Sequence, residues 1–163
     1  MNTYTTIDSP LGQLLLAGRE TTLTSLSLPG QRGAPAVGAD WRRDDAALAE
    51  AARQLSAYFA GRLTRFDLGL APAGTGFQQR VWRALDDIPY GTTTTYGELA
   101  RHLEVPRHEI RALGAAIGAN PLLIVRPCHR VIGADGSMRG YAGGVERKVR
   151  LLTHEGALQP MLV

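Results

Sequence analysis

Between Tyr4 and Leu28, apolar residues recur at every second or third place and are interrupted by turn-forming residues. Tyr4 to Ile7 reads as a strand, Ser9-Pro10-Leu11-Gly12 as a turn, Leu14-Leu15-Leu16 as a second strand and Leu23 to Leu28 as a third. Residues 29–40 are rich in Gly, Pro and Ala, so a loop is expected there. From about Asp44 to Ala60 the period changes: Leu48, Ala52, Leu55 and Phe59 stand at i, i+4, i+7 and i+11, which predicts a helix with one buried face. Phe66 to Leu70 is a candidate return strand. Pro72 to Gly76 punctuates the chain and places a boundary between an N-terminal domain, 1–75, and a C-terminal domain, 76–163.

The second half reads as helical. Phe77, Val81, Ala84, Leu85 and Ile88 share one helix face, stopped by Pro89-Tyr90-Gly91. Thr95-Tyr96-Gly97-Glu98 fits a capping box and predicts a short helix from Tyr96 to about Leu103. Pro106 opens another, from about Arg107 to Ile117, and the pair forms a candidate helix-turn-helix. Leu122 to Val125 is a buried apolar run leading into Pro127-Cys128, and Val145, Val149 and Leu152 mark a last helix ending near Glu155. On the 107–117 helix, Ile110, Leu113 and Ile117 are expected to pack inward, with Arg111, Gly114, Ala115 and Gly118 opposite them. Each Gly inside a helix costs roughly 1 kcal/mol relative to Ala. Two of them on one face admit close approach of another backbone, either nucleic acid or a second helix of the same protein.

Charge tilts that choice. The net charge is +3; residues 1–75 carry seven Arg against seven acids, and residues 76–163 carry eleven Lys and Arg against eight, so the excess lies in the second half. That suits a polyanion. The composition, 44% hydrophobic and 20% charged, is that of a soluble globular protein. No apolar run approaches the roughly 20 residues of a membrane span, and the first residues lack a signal-peptide layout, so a cytoplasmic protein is expected. One cysteine, Cys128, rules out an internal disulfide and argues against a structural zinc site. It is either a small buried apolar residue or a nucleophile.

Its neighbours favour the nucleophile. In Pro127-Cys128-His129-Arg130 the reactive species would be the thiolate, and a free thiol with a pKa near 8.5 needs a base at neutral pH. His129 is adjacent, but neighbouring side chains often point apart, so a proton shared through one water is the better reading. An imidazole acting as base needs a carboxylate to hold it, and Glu155 and Glu146 are the downstream acids.

In its setting this stretch is specific. Asn120-Pro121, five residues, Pro127-Cys128-His129-Arg130-Val131-Ile132-Gly133, and then Gly140-Tyr141-Ala142-Gly143-Gly144 resembles the O6-methylguanine-DNA methyltransferase family. Phe77-Gln78-Gln79-Arg80-Val81-Trp82, Ile88-Pro89-Tyr90-Gly91, Tyr96-Gly97-Glu98 and Arg111-Ala112-Leu113-Gly114 fit as well. The likeness is dense over 76–156. It is looser before that, through Asp8-Ser9-Pro10-Leu11-Gly12 and Tyr58-Phe59-Ala60-Gly61.

The resemblance implies an α/β, two-domain fold: a small antiparallel sheet with a packed helix, ribonuclease-H-like, then a mostly helical winged helix-turn-helix. It implies direct-reversal repair, a single irreversible transfer of a methyl or alkyl group from O6-alkylguanine in double-stranded DNA to Cys128, with O4-alkylthymine a second candidate substrate. The base must leave the stack, at a few kcal/mol. By the same resemblance, His129 through a water and Glu155 generate the thiolate. Asn120 ties the turn after the recognition helix to the active-site loop. Tyr96 presses on a phosphate and helps protonate the leaving guanine, and Arg111 fills the vacated stack. Ala112, Gly114, Ala115 and Gly118 meet the minor groove. Val131 and the Cys128 carbonyl read the guanine amino group, while Tyr141 and the Ala142 backbone line the pocket with Tyr96. No metal, organic cofactor or membrane is implied, and the protein is expected to be a monomer in solution, with self-association along DNA left open.

The chain departs from the family pattern in four places. Arg126 stands where an aliphatic residue is usual and is expected to reach solvent rather than act on the thiol. His108-Glu109-Ile110 replaces small residues, the Tyr96–Arg111 link is one residue longer, and Ala142 replaces the Ser of some members. Three rivals compete with the repair reading. A non-catalytic alkyltransferase-like lesion binder would lack the acceptor Cys, which this chain has. A winged-helix regulator would need operator specificity, and a cysteine hydrolase an acyl-binding motif that is not apparent.

Overall fold

A computed structural model of the chain describes residues 2–158. Two compact units form: Met1–Ala73 with Pro121–Val125, and Gly74–Asn120 with Arg126–Val163.

In the first unit, β1 (Thr3–Ile7), β2 (Leu14–Arg19) and β3 (Thr22–Ser27) make the expected meander, β2 pairing antiparallel with both neighbours. β4 (Arg42–Arg43) adds to the free edge of β1 in parallel, giving the order β3-β2-β1-β4, so the sheet is mixed and not wholly antiparallel. A two-residue edge strand reached by a long connection is free to run in either direction. Leu14, Leu16, Leu23 and Leu26 are buried and form the core side of the sheet.

The helix expected from about Asp44 begins later, as α1 (Ala49–Phe59), because Asp44 Oδ1 accepts from Ala47 N at 3.0 Å and holds the approach in a turn. Its buried stripe is Leu48, Ala51, Leu55 and Tyr58, not the Ala52–Phe59 line. Tyr58 meets Phe59 edge-on at 5.1 Å and Phe66 at 5.5 Å, which makes an aromatic cluster of it. The return strand expected at 66–70 shrinks to a single bridge between Leu23 and Leu70. Pro121–Val125 bridges β3 in the same way, Leu26 N donating to the Pro121 carbonyl at 2.9 Å. The domain pattern 76–163 is thus interrupted: the apolar run 122–124 is almost completely buried in the first unit.

In the second unit, α2 (Gly76–Leu85) opens on a full capping box. Thr75 Oγ1 accepts from Gln78 N at 3.1 Å, and Gln78 Oε1 accepts from Thr75 N at 2.9 Å. After β5 (Thr94–Thr95), α3 (Tyr96–His102) carries half of the box expected there. Thr95 Oγ1 caps Glu98 N, but the Glu98 carboxylate accepts from the Thr94 hydroxyl at 3.4 Å. A 3-10 turn over Arg107–Glu109 replaces the expected first helical turn, and α4 (Ile110–Gly118) follows. α3 and α4 pack as a helix-turn-helix, and β5 pairs in parallel with β6 (Val131–Ile132). α5 (Val145–His154) closes the unit.

The core of this unit is Val81, Trp82, Leu85, Leu113, Ile117 and Leu152. The Trp82 indole N–H donates to the Ala116 carbonyl at 2.8 Å and fixes α2 against α4. Ile110, expected inward, is 38% exposed: Leu113, Ala116 and Ile117 fill the inward face and leave Ile110 at its rim. Val145 is likewise exposed rather than part of the buried stripe of α5. Among the described residues no helix is long and apolar enough to cross a membrane.

Candidate active site

The route into Cys128 is two tight turns. Val125 N donates to the Leu123 carbonyl at 2.8 Å across Ile124, whose φ is 72°. A β-branched residue in the left-handed region is an outlier that stores about 1–3 kcal/mol, and it persists because Ile124 is buried. Pro127 (φ −82°, ψ 62°) then centres an inverse γ-turn, Cys128 N donating to the Arg126 carbonyl at 2.8 Å. Cys128 begins a 3-10 turn and is only 5% exposed.

Buried Asn120 sits just past the end of α4, its N–H donating to the Ile117 carbonyl. Its Nδ2 donates to the Arg126 carbonyl at 2.9 Å, and its side chain also hydrogen-bonds the thiol. One side chain therefore joins the helix end, the loop and the sulfur.

Behind the cysteine lies a buried charge cluster. His129 Nε2 is 2.8 Å from Glu155 Oε2. Arg130 donates to both oxygens of the same carboxylate, at 2.8 and 3.1 Å, and to the Ile88 carbonyl at 2.6 Å, with its guanidinium 5.7 Å from the Tyr90 ring centre. Of the two acids read from the sequence, Glu155 is the partner; Glu146 is exposed on the first turn of α5. Burial lowers the His129 pKa against the opposing pull of Glu155, so the imidazole is neutral at pH 7. With Nε2–H donating to Glu155, Nδ1 carries the lone pair, and it has no hydrogen-bond partner among the described residues. Burial also pushes the Cys128 thiol up to about 11, opposed by the Asn120 hydrogen bond and the Lys148 charge. At rest the sulfur is a thiol.

Lys148 was not among the residues singled out from the sequence. It is 1% exposed and donates through Nζ to the Val131 carbonyl at 2.6 Å and the Arg139 carbonyl at 3.4 Å. Burial lowers its pKa, and the nearby Cys128 counteracts this. A signal existed: stepping back four from Leu152, or three from Leu151, lands on position 148. The Arg126 expectation is corrected too. Its side chain is 8% exposed, with Nε 3.4 Å from Asp86 Oδ1, because the carboxylate at the end of α2 offers a partner nearer than solvent.

Tyr96 and Tyr141 lie within electrostatic reach of the sulfur, and burial raises both phenol pKa values. Tyr141 is buried, its ring edge-on to His129 at 6.4 Å, and its hydroxyl has no partner among the described residues. The half-buried Ala142 follows it, and Val131 is fully buried with its carbonyl already accepting from Lys148. The Tyr96 hydroxyl lies against Gly140 (φ +96°), where an added Cβ would come within 2.9 Å of the phenol oxygen. Gly140→Ala is therefore expected to displace Tyr96 and lower stability by about 1–3 kcal/mol, read by urea unfolding. An unchanged midpoint would contradict this packing.

On α4, Arg111, Ala112 and Ala115 are exposed, and nothing lies within 4 Å of a Cβ built on Gly114 or Gly118. Among the described residues no group of three or more His, Cys, Asp or Glu could hold a metal ion.

A shielded thiol next in sequence to a buried imidazole–carboxylate pair, in the same unit as a helix that offers a bare face, suits a nucleic-acid-binding protein whose own sulfur reacts. Residues 76–157 match the family model for the 6-O-methylguanine DNA methyltransferase DNA binding domain, and residues 2–72 that for its ribonuclease-like domain. The methylated-DNA–protein-cysteine methyltransferase of Mycolicibacterium paratuberculosis is 50% identical over 157 residues, covering 96% of this chain and 94% of that protein. The enzyme of the same name from Methanosarcina barkeri is 49% identical over 152 residues, covering 93% and 96%. The crystal structure of Mycobacterium tuberculosis OGT in complex with DNA aligns with a TM-score of 0.87 at 50% identity, covering 95% of this chain and 93% of that one. The chain belongs to the 6-O-methylguanine DNA methyltransferase family.

Proposed function

We propose that this protein repairs alkylated DNA by direct reversal, taking the alkyl group of an extruded O6-alkylguanine onto Cys128. The bond between guanine O6 and the alkyl carbon breaks, and a sulfur–carbon bond forms in line with it. The thiol proton passes through a water to His129 Nδ1, while Glu155 supports the imidazolium from the other nitrogen. Tyr96 gives a proton to the leaving guanine and regains one through solvent as the imidazolium of His129 gives its proton up, so that overall the thiol hydrogen ends on the base and the alkyl group on sulfur. Asn120 holds the loop, and Tyr141, Val131 and the Ala142 backbone enclose the base. Arg111 fills the gap in the stack, while Ala112, Gly114, Ala115 and Gly118 let the helix approach the minor groove. Lys148 favours the thiolate as it forms. A thioether has no route back, so each molecule acts once. We place the reaction in the cytoplasm, where a lone thiol stays reduced.

The observation that carries this reading is the buried His129–Glu155 contact of 2.8 Å beside a thiol that cannot ionise unaided. After incubation with duplex DNA containing O6-methylguanine, peptide mass spectrometry is expected to find one added methyl, on Cys128. An unmodified Cys128 peptide with the lesion intact rejects the proposal. The transfer rate is expected to hold steady above neutrality and to fall as pH drops through the depressed His129 pKa, below its ordinary 6.5. Folding has a separate dependence: because the thiol is raised from 9.0 to about 11, its contribution is complete below pH 9 and lost as pH rises through 11.

A further inference from the structure

We propose that Ile110 is a second wedge, an apolar side chain that enters the minor groove beside Arg111 and helps open the base step from which the lesion leaves. The proposal rests on the repair reading above and concerns how the duplex is opened.

Ile110 is one of few large apolar side chains exposed among the described residues, at 38%, and it is the first residue of α4. Its position is what distinguishes it from an ordinary surface apolar residue. Counting about 100° per residue, Leu113, Ala116 and Ile117 point to the core and Arg111, Ala115 and Gly118 away from it. Ile110 falls on the rim between these faces, on the same side as Gly114, where a built Cβ meets nothing within 4 Å. The exposed surface of α4 thus has no bulk along most of its length and carries it only at the N-terminal end, as Ile110 and Arg111 side by side.

A duplex lying along this face would meet low relief at Gly114, Ala115 and Gly118 and two projections at 110 and 111. A cation alone can occupy a vacated stack but gains little from the apolar faces of the flanking bases. A β-branched aliphatic side chain has few rotamers to lose and covers those faces, as apolar wedges do when they unstack a step. The neighbouring charges leave a cationic excess for this partner: Arg107 and Arg111 stand on either side of Ile110 in sequence, against the one carboxylate of Glu109.

The test compares one lesion in two settings, duplex and single strand, since only the duplex needs unstacking. Ile110→Ala is expected to slow single-turnover transfer from duplex by about three- to tenfold and to leave the single-strand rate within about twofold. A fluorescent base analogue beside the lesion should show a matching drop in unstacking, and Ile110→Leu should restore both. Equal losses in the two settings, or an unchanged duplex rate while Arg111→Ala slows it, would overturn the wedge. Should the parent protein leave Cys128 unmodified in both settings, it is the repair reading that fails.

Discussion

Glu155→Gln is expected to lower the transfer rate by about a hundredfold or more and folding stability by about 3 kcal/mol. Both effects follow from one carboxylate serving two cations. Both Glu155 oxygens are engaged, Oε1 by Arg130 and Oε2 by His129 and Arg130, and the carboxylate itself is fully buried. A neutral amide keeps one acceptor and loses the charge. Arg130, with 8% of its side chain exposed, would then be a buried cation without a counter-charge, left with the Ile88 carbonyl, the Tyr90 ring and at most one amide oxygen. The rate falls for a separate reason: Glu155 raises the His129 pKa against burial, so its removal leaves a weaker base. Urea unfolding and rapid-quench transfer measure the two separately. A variant as stable and as fast as the parent would mean that the carboxylate supports neither cation.

Cys128→Ser is expected to abolish transfer while retaining lesion binding, with a stability change within about 1 kcal/mol. A hydroxyl is a much weaker acid than a thiol, and this site already pushes the thiol up to about 11. An alkoxide is far less stable than a thiolate in this buried site, and oxygen is the poorer nucleophile toward an alkyl carbon, so the same imidazole does not make up the difference. The substitution also keeps a small polar atom for Asn120, so the loop should hold its shape. Gel-shift binding that persists while the lesion survives is the expected pair of results. Repair by the Ser variant at the parent's rate would remove sulfur from the chemistry.

The first-unit strands and the final helix were legible because each repeats a period over several residues, and the helix-turn-helix because a capping signal at Thr95 and Pro106 mark where its two helices begin. Pairing was less legible. β4 has two residues, and its parallel addition to β1 depends on where a long loop returns. The run 122–125 was read correctly as buried, but periodicity cannot tell which core receives it. Ile110 was misassigned because a stripe counted at i, i+3 and i+7 takes no account of where the neighbouring helix ends.

At the site, Cys128 and His129 were legible from residue type, and Asn120 and the choice of Glu155 over Glu146 from the family resemblance; the structure pairs His129 with Glu155 and Asn120 with the thiol and its loop. Lys148 was missed because a lysine ordinarily marks a solvent face. Arg126 was misjudged because the sequence does not show that Asp86 ends its helix within reach. The two γ-turns before Cys128 leave no trace in composition, apart from Pro127.

The Glu155 carboxylate comes 26 residues after His129 in chain order. The nucleophile, its imidazole and the loop that holds them are therefore synthesised before the group that completes them. Until α5 has docked, the imidazole beside Cys128 lacks its carboxylate partner. A product that stops short of residue 155 lacks the carboxylate that pairs with His129 and is expected to lose the assisted transfer to Cys128.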